Sequence, residues 1–103
     1  MVGALFIPNF LTSLQEVLRR RHLYKPHVIV YSRPGCHLCD EAKAAILNSG
    51  CNDKFTLEEI NIESDNELLR KYKYDIPVVT IDGVEAFRHR VNAEEFKTRV
   101  ISG

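Results

Sequence analysis

The 103-residue chain has no tryptophan, a single methionine and no surplus of charge: Lys+Arg and Asp+Glu each count 14. A balanced charge gives no reason to propose nucleic acid or a broadly acidic partner. No apolar run approaches the length that spans a bilayer, so no membrane segment is expected. Met1 to Leu5 lacks a basic stretch ahead of an apolar core and makes a poor secretory signal. Three cysteines are odd in number and too few for a disulfide framework. That usage suits a reducing compartment, where a close pair is catalytic or metal-binding more often than structural. No internal repeat or low-complexity segment appears. What remains is one small domain, 45% hydrophobic and able to bury a modest core.

The charge is balanced overall but uneven locally. Residues 1–26 carry Arg19, Arg20, Arg21 and Lys25 against the one acid Glu16. Thr12 or Ser13 caps a helix here, with Leu14, Val17 and Leu18 at helical spacing. The segment reads as an N-terminal extension, either a packed helix or an organelle-targeting peptide, closed by Pro26. From residue 27 to 103 the pattern is β-α-β-α-β-β-α. His27 to Tyr31 is a short β-branched strand. A helix runs from about Cys36 to Asn48, with Leu38, Ala42, Ala45 and Ile46 inward and Gly50 suited to its left-handed cap. Phe55 to Ile60 alternates as a second strand, with Phe55, Leu57 and Ile60 inward. Ser64 with Glu67 forms a capping box for a short helix bearing Leu68, Leu69 and Tyr72. Ile76 to Ile81 is the third strand. Asp82-Gly83 turns it into a fourth, from Val84 to Phe87 or Arg88. Asn92 with Glu95 opens the last helix, whose apolar contacts are Phe96 and Val100. The first two strands, joined by a helix, are parallel and the last two antiparallel. The expectation is an α/β domain with a four-stranded mixed sheet flanked by helices.

Cys36-His37-Leu38-Cys39 falls where the first strand hands over to the first helix. A helix start offers unpaired N–H groups and the positive end of the dipole, so the Cys36 thiol is expected below the free value of about 8.5. Arg33 adds positive charge, as does His37 when protonated. Cys39 lies one turn deeper. Cys36 therefore attacks a disulfide, and Cys39 resolves the mixed disulfide that forms. A zinc site needs about four ligands, and no second close pair exists. Cys51, beyond the far end of the helix, is roughly 20 Å from Cys36. Redox chemistry is thus favoured over zinc or inert cysteines, and no metal is assigned. Cys51 reads as a small buried residue, and His22, His27 and His89 have no partner legible in the sequence. Pro77 belongs at a strand start, where the backbone of Ile76 or Val78 would face the cysteine loop and meet an extended peptide or glutathione.

With these features in place, residues 27–101 resemble the thioredoxin superfamily, and within it glutaredoxin-like proteins. The resemblance rests on Tyr31-Ser32-Arg33-Pro34-Gly35-Cys36-His37-Leu38-Cys39-Asp40, on Ile76-Pro77-Val78 and on Gly83 in the hairpin. It implies a thioredoxin-like fold and a cis bond before Pro77, lying against the cysteines. It implies a redox-active Cys36–Cys39 disulfide, with Cys36 as nucleophile and Cys39 as resolving thiol. Arg33 matches a glutaredoxin lysine that meets a glutathione carboxylate, and Val78 a position whose backbone pairs with the glutathione cysteinyl unit. Two features depart from that pattern. His37 and Leu38 replace the usual proline and aromatic residue. Arg88-His89-Arg90-Val91-Asn92 stands where glutaredoxins carry a glycine pair, and its bulky charged side chains can block glutathione or recruit a different anionic partner. Thioredoxin's tryptophan before the motif is missing as well.

The expected function is thiol–disulfide exchange, in cell redox homeostasis and electron transport. Its site residues are Cys36 and Cys39, with Arg33, His37, Ile76, Pro77 and Val78 as substrate or glutathione contacts. Partners are protein disulfides or glutathione, the latter as co-substrate, with no tightly bound cofactor. The chain is expected to be a monomer of the cytoplasm, with the mitochondrial matrix as the alternative. The competing reading is a binding module of low turnover, holding an iron–sulfur cluster in a dimer through Cys36 and glutathione.

Overall fold

A computed structural model describes residues 24–102. Thr12, Ser13, His22 and nearly all of the proposed N-terminal extension lie outside these residues. Strand β1 (His27–Ser32) leads to helix α1 (His37–Leu47), strand β2 (Thr56–Asn61) and helix α2 (Asn66–Tyr72). Strands β3 (Val78–Ile81) and β4 (Val84–Arg88) and helix α3 (Ala93–Ser102) follow. The sheet order is β2-β1-β3-β4. β1 is parallel to β2 and antiparallel to β3, and β3 is antiparallel to β4. This is the α/β architecture with a four-stranded mixed sheet that the pattern implied.

β1 is central, which explains its unbroken apolar run: both faces are covered. Val28 and Val30 point to one face and pack with Ile46 of α1 and with Phe96 and Val100 of α3. Tyr31 points to the other, where Val78, Ile62 and Tyr72 gather with Leu68 and Leu69 of α2. Phe96 is fully buried, edge-on to Phe55 with ring centres 5.1 Å apart and 6.4 Å from Phe87. The β3–β4 turn is the two-residue kind that matches strand twist, with φ of 52° at Asp82 and 82° at Gly83.

Four details differ from the sequence reading. Leu57 shares the face of Val28 and the buried Phe55, as expected, but is 37% exposed because β2 is an edge strand. The cap of α2 is Asp65, whose Oδ1 accepts from the Glu67 amide at 2.7 Å; Ser64 instead donates to the Asn61 carbonyl. On α1 the buried stripe is Cys39, Ala42 and Ile46, while Leu38 is only half-buried. The third strand also starts at Val78, since Pro77 has no N–H to give the ladder.

Candidate functional site

The site is built by a turn and a helix start. The Cys36 amide donates to the Arg33 carbonyl at 3.3 Å across Pro34 and Gly35. Gly35 has φ of 77°, which proline followed by glycine supplies in a type II turn. The turn stops the chain at Cys36, the N-cap of α1. In the cap position the Cys36 Sγ accepts from the Cys39 amide at 3.2 Å. A sulfur at this place is exposed to the helix dipole and to an N–H with no intrahelical partner, both of which favour the thiolate. Cys36 and Cys39 are joined as a disulfide with Cα atoms 5.2 Å apart. Cys39 is 1% exposed and Cys36 half-exposed, so an incoming disulfide meets Cys36.

The second wall of the site comes from the start of β3. The Ile76–Pro77 peptide bond is cis. Val78 lies in register with Tyr31 on one side and Arg88 on the other. Pro77 is held too, because its carbonyl accepts from the His89 amide at 2.8 Å. Of the three, Ile76 alone stands outside this pairing, packed beside Tyr31 and Tyr72. Since Tyr31 runs directly into the Arg33–Cys36 turn, the sheet brings Val78 to the cysteine end of the molecule.

Comparison with known proteins gives this chain a family and a fold. The glutaredoxin-like domain family (DUF836) matches residues 27–100. The chain belongs to this family. A "Glutaredoxin-like protein YDR286C homolog" from Dictyostelium discoideum is 38% identical over 71 residues, 63% of this chain. The match spans 66% of that relative's own length, just short of two thirds. The X-ray structure of protein XcR50 from X. campestris superposes with a TM-score of 0.63 at 21% identity, covering 74% of this chain and 97% of that one. Its likeness shows the fold, which is thioredoxin-like. Within this glutaredoxin-like domain the Cys36–Cys39 pair supports a redox type of function.

Two depressions lie near the pair among the described residues. One, of about 290 Å³, lies beside Arg33, Pro34 and Gly35 and contains a polar chain that the sequence reading missed. Buried Ser32 donates to Glu59 Oε2 at 2.7 Å, and Lys43 Nζ sits 2.8 Å from the same oxygen and 3.5 Å from Asp40. The Lys43 and Ser32 hydrogen bonds hold the Glu59 carboxyl below its usual range, and the Glu59 contact raises Lys43. Arg33 is engaged by Glu63 at 3.2 Å, and His37, 86% exposed, lies 3.6 Å from Glu41. The other depression, of about 360 Å³, runs between α1 and the turn after β4.

Some neighbours were invisible in the sequence. His27, without a legible partner there, bonds Thr56 Oγ1 at 2.8 Å and Glu58 Oε1 at 2.9 Å. Cys51 is buried and shares a 3.2 Å contact with Ser49 Oγ, at the opposite end of α1 from the pair. Among the described residues no group of three or more His, Cys, Asp or Glu is arranged to hold a metal.

Proposed function

We propose that this protein is a dithiol thiol–disulfide oxidoreductase of glutaredoxin type. The observation that carries the reading is the asymmetry of the pair: Cys36 caps α1 and is half-exposed, while Cys39 is buried one turn inside. In the reduced protein the Cys36 thiolate attacks a disulfide R–S–S–R′. A bond forms from Cys36 Sγ to R–S, and R′–S⁻ leaves and takes a proton from water. The Cys39 thiolate then attacks Cys36 Sγ and expels R–S⁻. Two electrons pass to the substrate, and the Cys36–Cys39 disulfide of the present structure results. Two thiols, for which glutathione is the natural class, return the disulfide to the dithiol by the reverse chemistry.

The substrate is a protein disulfide or a glutathione mixed disulfide. Ile76 meets it, and Pro77 and Val78 line the wall against which an extended chain would lie. Arg33 stands at the mouth as a cation for a carboxylate and His37 as a hydrogen-bonding group, each already near an acid.

A glutathione-coupled assay on a mixed disulfide tests the proposal. Wild type should turn over, Cys36→Ser should be inactive, and Cys39→Ser should retain only a monothiol route through Cys36. Loss of turnover in all three with an intact fold would overturn it in favour of a binding module.

A further inference from the structure

We propose that the groove between α1 and the β4–α3 turn docks an acidic, apolar-bearing segment of a protein disulfide, and that Arg90 selects it. The inference rests on the redox reading above and names its substrate class. The groove begins at Leu38, between the two cysteines, and reaches Ala44. Six residues of helix rise about 9 Å, the length of about three residues of extended chain. A polypeptide whose disulfide is being attacked at Cys36 has its flanking residues within reach of this groove.

The floor and rim differ in kind. Leu38, Ala42 and Val91 line the floor, and the two alanines of α1 leave the space. His89 and Arg90 stand on the rim. His89 is fixed there with φ of 72°, a left-handed conformation that non-glycine residues seldom adopt, and its amide is tied to Pro77. The acid of the groove, Glu41, lies 3.6 Å from His37.

Arg90 is the exception among the described arginines. Arg33 lies 3.2 Å from Glu63, Arg70 3.9 Å from Glu67, Arg88 2.7 Å from Asp75 and Arg99 3.3 Å from Glu95. Arg90 has no carboxylate partner among the described residues. An exposed, unpaired guanidinium on the rim of an apolar groove complements a segment that offers a carboxylate next to an apolar side chain. Glutathione supplies carboxylates but no apolar side chain for Leu38, Ala42 and Val91 to cover.

The test uses two fluorescein-labelled peptides with serine in place of the reactive cysteine. Both carry leucine beside it; one is flanked by glutamates, the other by lysines. Binding is read by anisotropy on the full chain, so it does not depend on redox turnover. The acidic peptide should bind wild type about threefold tighter than the lysine peptide at low salt, and high salt should erase the difference. Arg90→Glu, on an exposed turn, should reverse the preference, Arg90→Lys should largely keep it, and Ala44→Glu at the far end should weaken the acidic peptide alone. Equal binding of the two peptides, no binding, a preference unmoved by Arg90→Glu, or displacement of the acidic peptide by S-methylglutathione would each overturn the proposal. Intact peptide preference in a chain that fails the coupled assay would strike the redox reading and leave the groove standing.

Discussion

Arg88 reaches from the end of β4 to Asp75, with Nη1 2.7 Å from the carboxylate, just before the cis-proline turn. The same guanidinium donates twice to Glu85, from Nε at 2.9 Å and Nη2 at 2.7 Å. These contacts raise the Arg88 pKa and lower that of Glu85, so this pair is charged throughout the physiological range. Arg88 thus ties the loop carrying Ile76 to the sheet, and the next residue ties Pro77.

Loss of that tie should appear in substrate binding. Arg88→Gln is expected to raise KM for a mixed disulfide by about two- to fivefold, the worth of one or two half-exposed ion pairs, with kcat nearly unchanged. Arg88→Lys should recover part of the effect through Asp75. A matching fall in kcat would place Arg88 in the chemistry rather than in positioning.

The cysteine roles separate in a trapping experiment. Cys39→Ser mixed with a disulfide substrate should accumulate a covalent adduct on Cys36, visible by intact mass. Cys36→Ser should give none, because Cys39 is shielded at 1% exposure. Equal trapping by both variants would contradict the assigned order of attack.

Glu59 should make stability depend on acid. Its folded-state pKa is lowered from 4.5 by Lys43 and Ser32, so its contribution is present above the unfolded value and is lost as pH falls through the lowered one. Wild type should therefore be more stable than Glu59→Gln near neutral pH, with the gap closing as pH falls below about 4. Denaturant midpoints across that range measure it, and a gap independent of pH would remove Glu59 from the account.

Phe96 and Leu57 test the packing. Phe96→Ala removes a fully buried ring between Phe55 and Phe87 and should cost about 3–5 kcal/mol. Leu57→Thr, on the open edge strand, should change stability by about 0.5 kcal/mol or less.

That contrast also shows what the sequence makes legible. Period and punctuation carry the fold: the apolar run of β1 needs two covered faces, Asp82-Gly83 demands a tight hairpin, and Asn92 with Glu95 caps α3, its Oδ1 accepting from the Glu95 amide at 2.9 Å. Pro34-Gly35-Cys36 gives the site for the same local reason. Leu57 misleads because alternation reports which face a side chain takes and not how far the cover extends toward an edge strand. Ser32, Glu59 and Lys43 meet only through the β1–β2 register and the placement of α1, and no local pattern encodes that meeting. The Arg88–Asp75 and His89–Pro77 ties are equally nonlocal.

The proposal stands or falls on whether the α1 cap favours the Cys36 thiolate. Iodoacetamide alkylation of the reduced protein across pH, followed by peptide mass spectrometry, measures it directly. The account predicts that Cys36 reacts first, with a midpoint below the free thiol value of about 8.5, and that Cys39 stays protected. Equal reactivity of the two cysteines, both titrating near the free value, would contradict it.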